Sequence, residues 1–302
     1  MTLSYMKQVS LLLRLLPEVL KIESFALHGG TAINLFHHNM PRLSVDIDIT
    51  YIPFGPRETD LEHIQLRLID IANRLVEIIP GIVVSPPSLQ KEEYKLFCQL
   101  GESMVKIEVN TINRGIMAPV ELMPLSILAQ DTFNQFVEAR IVPKSQLFGG
   151  KMIAALDRQH PRDIFDMHQF LLKKEQLKDI KSGLLFCLLS SNRPIHELLS
   201  PNFLDQRQAF VNQFDGMTDS PFTYNQFEEI RSLLVMEVKN LLSAQDKSFL
   251  IDFMLGNTND TDYQFLNYPA ITWKRKNIDL LKRNNLAKFK KLMKQTELYF
   301  EM

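Results

Sequence analysis

The stretch His28-Gly-Gly-Thr-Ala-Ile-Asn-Leu-Phe-His-His-Asn-Met-Pro-Arg-Leu-Ser-Val-Asp-Ile-Asp-Ile49 carries two kinds of pattern. Gly29-Gly30 sits between a short strand, Phe25–His28, and a helix expected over Thr31–His38. Leu43–Tyr51 then reads as a strand, whose side chains alternate between faces. Leu43, Val45, Ile47 and Ile49 form its apolar face, while Arg42, Ser44, Asp46 and Asp48 share the other. Two aspartates at i and i+2 therefore point the same way, and their like charges are costly together unless a cation lies between them. Hard carboxylate oxygens suit a magnesium or manganese ion.

Met104–Asn110 repeats this logic, with Val105, Ile107 and Val109 apolar and Lys106, Glu108 and Asn110 polar. A strand beside the first would deliver Glu108 to the aspartate pair. Three carboxylates can hold two metal ions about 3.5–4 Å apart around an in-line phosphoryl displacement. One ion activates the attacking hydroxyl, and the other neutralises a triphosphate and its leaving pyrophosphate. Gly29 and Gly30 let backbone amides approach a phosphate, and Thr31 adds a hydroxyl at the start of the following helix. An isolated Asp-X-Asp is also what an exposed strand edge carries, and an isolated Gly-Gly is a tight turn. Their combination, with the acidic face present twice, is the informative signal.

Outward from this block, helices are expected over residues 4–21 and Glu58–Ile79 from apolar spacing. Strands are expected at Ile82–Val84, Tyr94–Leu100 and Met104–Asn110, with Pro86-Pro87 breaking the chain between the first two. Glu121–Leu122 and Ala139–Val142 add short strands. Beyond Lys144 the pattern is helical, over roughly 144–158, 162–173, 175–189, 224–242 and 246–254, with one last helix at about 276–296. The fold class expected is α+β. A lobe with a mixed sheet and flanking helices spans 1–143, and a mainly α-helical lobe spans 144–302.

A further cluster lies in Leu147-Phe-Gly-Gly-Lys-Met-Ile-Ala-Ala-Leu-Asp-Arg-Gln-His-Pro-Arg-Asp-Ile-Phe-Asp-Met-His168. Lys151, Ala155 and Arg158 share a helix face. His160-Pro161 ends that helix and starts the next. Lys151 is expected to bring positive charge to a nucleotide's phosphates, with Asp166 orienting it. Arg162 and Asp163 equally suit an ordinary salt-bridge network between helices, and His160 and His168 are read as structural.

Formal net charge is -1, so contact with a polyanion needs a local basic patch rather than the whole surface. One candidate is the lysine- and arginine-rich tail Trp273–Lys294, which equally suits a solvated helix face. Cys98 and Cys187 are too few for a disulfide framework, which favours a reducing, cytoplasmic setting. The first residues carry Arg14 and Glu18 among leucines and read as an amphipathic helix, not a signal peptide. No apolar run reaches membrane-spanning length, so no membrane partner is expected.

Together the two blocks resemble the AbiEii/AbiGii-type nucleotidyltransferases, toxins of type IV toxin–antitoxin systems that include the mycobacterial MenT toxins. The first family motif matches Gly29-Gly30-Thr31 and Arg42-Leu-Ser44-Val-Asp46-Ile-Asp48. Val105-Lys-Ile-Glu108-Val-Asn110 resembles the next motif. The third matches Lys151, Ala155, Arg158, Arg162, Asp163 and Asp166, and a late Ala-Ile-Thr-Trp273-Lys274 with Asn277 is also similar. The resemblance implies a DNA-polymerase-β-like lobe that uses NTP and magnesium. Asp46, Asp48 and Glu108 would be metal ligands, and with Lys151 and Asp166 they would be catalytic. Gly29, Gly30, Thr31, Arg42, Ser44, Lys151 and Arg158 would meet the nucleotide. It also implies a cognate antitoxin of AbiEi type and an RNA acceptor, with the 3′ end of tRNA as one possibility. A protein acceptor, phosphoryl transfer, or a catalytically silent nucleotide-binding module are the competing readings.

Overall fold

The computed structural model describes residues 1–85, 94–258 and 263–301, so the Pro86-Pro87 break lies outside the described residues. The chain divides into two compact units: Met1–Leu147 with Val211–Pro221, and Phe148–Phe210 with Phe222–Met302.

In the first unit, α1 (Leu3–Leu20) is followed by β1 (Phe25–His28), a single turn α2 (Gly29–Ala32) and β2 (Asp46–Tyr51). The long α3 (Arg57–Ile78) precedes β3 (Val83–Ser85), β4 (Lys95–Leu100) and β5 (Ser103–Asn110). β6 (Glu121–Pro124), α4 (Ile127–Phe133) and β7 (Glu138–Ile141) complete it. The strands form one mixed sheet in the order β3-β4-β5-β2-β1-β7-β6. β2 runs parallel to β5 and antiparallel to β1. Phe25, Leu27, Ile47, Ile49, Leu96, Cys98, Val105 and Ile107 fill the buried face. The apolar positions of α1 and α3 are buried too, and burial of this kind stabilises by about 25 cal/mol per Å² of apolar surface.

Two expectations shift near the glycines. The helix expected over Thr31–His38 is α2 followed by a wider π-helical turn, Ile33–His37, closed by the His38 amide donating to the Ile33 carbonyl at 2.7 Å. Such turns are rare and concentrate at functional sites. β2 begins at Asp46 rather than Leu43, because the Leu43 amide is drawn out of the ladder to the Met217 carbonyl (2.7 Å). Segment 211–221 is tied down further by the Thr218 hydroxyl, which donates to the Pro41 carbonyl at 2.7 Å.

The second unit is helical. Helix α5 (Lys144–Asp157) enters it, followed by α6 (Pro161–Leu172), α7 (Leu177–Ser190), α8 (Ile195–Leu199), α9 (Arg207–Gln213), α10 (Tyr224–Leu241) and α11 (Ala244–Leu255). Its core is aromatic: Phe148, Phe165, Phe170, Phe186, Phe227 and Phe253 are fully buried. A Cβ at Gly149 would collide with the backbone of Gly183, so α5 and α7 touch where both lack a side chain. The single helix expected at 276–296 is two, α12 (Pro269–Asn284) and α13 (Leu286–Glu301). Asn285 breaks the run with a non-helical backbone, and its side chain accepts from the Lys288 amide at 2.9 Å to start α13. Among the described residues no helix is long and apolar enough to cross a membrane.

Candidate active site

The β2–β5 pairing places the carboxylates. Asp46 lies opposite Lys106 and Asp48 opposite Glu108, so all four side chains share one sheet face. His28 of β1 is level with Asp48 on its other side. Asp46, Asp48 and Glu108 are each part-exposed, while Ile47, Ile107 and Val109 point into the core. The alternation expected from sequence is thus realised in register on neighbouring strands.

A cation is already present on this face. Lys106 Nζ donates to Glu108 Oε2 at 2.6 Å. Burial alone would lower the Lys106 pKa, but the bond to Glu108 and the charges of Asp46 and Asp48 outweigh it and raise the value. Lys106 was part of the polar set in the sequence, yet nothing there placed it opposite Asp46.

Gly29 adopts φ +73, and a Cβ there would collide with the Asp48 carboxylate. Only glycine meets both demands at low cost. At Gly30 a Cβ would stand 2.8 Å from Arg42 Nη2 and 2.9 Å from Ser44 Oγ, which packs Arg42 and Ser44 under the turn. Arg42 is buried and its Nη1 donates to the Leu43 carbonyl at 2.8 Å. Thr31 is also buried; its hydroxyl lies 2.6 Å from the Asp46 carbonyl oxygen and 3.0 Å from Ser44 Oγ. Its first bond braces the backbone that carries the aspartates.

The donor set on this face fits a hard divalent cation: two aspartate carboxylates on one strand and a glutamate level with Asp48 on the next. Among the described residues no three His, Cys, Asp or Glu side chains converge closely enough to enclose a metal, and Glu108 is engaged by Lys106.

The cluster around Lys151 belongs to the second unit. Lys151 is buried on α5 and its Nζ lies 2.8 Å from Asp163 Oδ1 and 3.0 Å from Asp166 Oδ2, both on α6. Arg158 reaches Asp163 with Nε at 2.5 Å and Nη2 at 3.0 Å. Burial would raise the Asp163 pKa, but Lys151 and Arg158 outweigh it and hold the carboxyl well below the usual range. Asp163, read from the sequence as part of an ordinary salt-bridge network between helices, is the buried hub of that network. His160 caps α6, its Nδ1 accepting from the Arg162 amide at 3.1 Å.

The chain's fold is similar to that of the MenT4 nucleotidyltransferase toxin from Mycobacterium tuberculosis, with TM-score 0.58 and 13% identity over 90% of this chain and 95% of that one. A candidate nucleotidyltransferase from H. pylori aligns at TM-score 0.44 and 15% identity, over 80% of this chain and 100% of that one. No curated protein sequence matches the chain. The sequence profile of the family described as nucleotidyl transferase AbiEii toxin, type IV TA system, matches residues 10–276. With that span covering most of its length, the chain belongs to the AbiEii nucleotidyltransferase toxin family of type IV toxin–antitoxin systems.

Proposed function

We propose that this protein transfers a nucleoside monophosphate from an NTP to a hydroxyl of an RNA acceptor, with the 3′ end of tRNA as the leading substrate. The observation that carries the reading is the shared face of Asp46, Asp48 and Glu108, with Gly29 beside Asp48. The acceptor oxygen bonds the α-phosphorus as the α–β bridging bond breaks, and pyrophosphate leaves. A Glu108 carboxylate oxygen takes the hydroxyl proton. Asp46 and Asp48 would hold magnesium or manganese, joined by Glu108 when Lys106 releases it; the ion would lower the pKa of the attacking hydroxyl and neutralise the triphosphate. Amides at Gly29-Gly30 meet phosphate oxygens. Arg42, Ser44 and Thr31 keep that turn and the start of β2 in place. Lys151 supplies cationic charge to the nucleotide, its ammonium oriented by Asp163 and Asp166. Arg158 supports it through Asp163. Modification of tRNA in the cytoplasm would block translation, held in check by an antitoxin of AbiEi type.

The test is incubation with labelled NTPs, total tRNA and magnesium. Asp48→Asn should lose labelling by more than the roughly 10–100-fold that removal of a supporting residue costs. Equal labelling by wild type and variant, or labelling that persists in EDTA, rejects the assignment.

A further inference from the structure

The second unit carries a half-open cavity of about 560 Å³ that none of Asp46, Asp48, Glu108 or Lys151 lines. That volume lies within the roughly 300–1,000 Å³ of small-molecule sites. Its lining has three chemical parts. Ile195, Met254, Ile278 and Leu281 offer apolar wall. Arg193, Lys274, Lys288 and Lys291 bring four cations from the α7–α8 connection, α12 and α13, against Glu197 as the acid of the lining. Asn192, Asn277 and Gln295 add carboxamides, each of which both donates and accepts.

The cations are not all spent within the protein. Arg193 Nη1 is held by Asp157 at 2.7 Å and its Nη2 by Glu197 at 3.5 Å. Lys288 and Lys291, by contrast, are exposed, and no described carboxylate pairs with either. Lys274 is only 7% exposed, and its Nζ donates to the carbonyls of Leu188 (3.2 Å) and Arg193 (3.0 Å). The first bond caps the last turn of α7, the second holds the connection after it, and together they use two of the ammonium's three donors.

We propose that this cavity binds a phosphorylated nucleoside, either a free nucleotide or one residue of an RNA strand. The base lies on the apolar wall and exchanges edge hydrogen bonds with the carboxamides; the phosphate meets Lys288, Lys291 and Lys274. The three carboxamides are exposed and can exchange water for the donor and acceptor edge of a base, an edge that a fatty anion does not offer. This inference rests on the cavity's own chemistry and not on the carboxylate reading.

Binding is followed by isothermal titration calorimetry, which needs no reporter side chain at the site. The experiment titrates the full-length protein with adenosine and uridine monophosphates, with a short oligoribonucleotide and with inorganic phosphate. A saturable change with a mononucleotide or the oligonucleotide supports the proposal; tighter binding of the former points to free nucleotide, of the latter to a strand. Binding should weaken by about tenfold or more in the double variant Lys288→Glu/Lys291→Glu, whose fold is checked by circular dichroism. It should persist in Asp48→Asn. No response to any nucleotide, an equal response to phosphate alone, or unchanged binding in the double variant overturns it. Loss in Asp48→Asn instead would place the nucleotide at the carboxylates, which sinks this inference and leaves the function reading standing. Failed tRNA labelling with an intact nucleotide titration does the reverse.

Discussion

Lys106 and Gly29 do opposite things to the same carboxylates. Lys106 supplies positive charge 2.6 Å from Glu108, on the face shared with Asp46 and Asp48. Lys106→Met leaves three part-exposed carboxylates without that counter-charge, and like charges so placed repel. The variant should melt below wild type in EDTA and gain more from manganese than wild type does in the same thermal scan. Equal gains would show that Lys106 and a divalent cation do not compete for this face. Gly29→Ala adds a methyl where the Asp48 carboxylate lies, in a backbone region that costs an L-residue roughly 1–2 kcal/mol. NTP-dependent labelling should fall far more than stability does, because the displaced group is Asp48. A variant with full activity would remove Gly29 from the site.

At the scale of elements, the α5–α6 corner is held by a buried charged cluster. Asp163 and Asp166 are buried with Lys151 between them, and Arg158 closes on Asp163 from a largely exposed position. Breaking one partner of a buried pair costs about 3–5 kcal/mol, since it strands the other charge. Asp163→Asn should destabilise by about that amount in urea unfolding. The effect has a pH signature. Asp163 has a lowered pKa in the folded state, so its stabilisation is complete above the unfolded value near 3.9 and fades as pH falls through the lower folded one. The gap between wild type and variant should therefore close in acid; a gap independent of pH would mean packing, not charge, is lost. The α12–α13 break shows the limit of periodicity. Apolar spacing runs through 276–296, but Asn284-Asn285 offers a side-chain cap worth about 1 kcal/mol, and the chain takes it.

For the molecule as a whole, stability against pH is set by the charges it buries. Desolvation pushes Lys274 down to about 7, whereas in the unfolded chain it titrates near 10.4. The unfolded state then binds the extra proton between those values, so stability should rise as pH climbs from about 7 towards 10. Lys274→Met should flatten that rise in urea titrations of the second unit, read through Trp273. An identical slope in both proteins would show the burial cost is met by the Leu188 and Arg193 carbonyls.

Features that depend on near neighbours were legible in the chain alone. Alternation in β2 and β5 assigned Asp46, Asp48 and Glu108 to one kind of face, since a strand's period of two is local. Apolar spacing located the long helices, and the spacing from Lys151 to Asp166 marked the corner between two of them. Three-dimensional packing decided the rest, because it depends on which distant segment supplies a partner. Register between β2 and β5 set Lys106 opposite Asp46. Segment 211–221 took the Leu43 amide and so moved the start of β2. Burial with both Lys151 and Arg158 made Asp163 the hub of the salt-bridge network between α5 and α6. Side chains from the α7–α8 connection, α11, α12 and α13, distant in sequence, came together around one cavity. Hydrogen-bond partners and desolvation are properties of spatial neighbours, and spacing along a chain does not carry them.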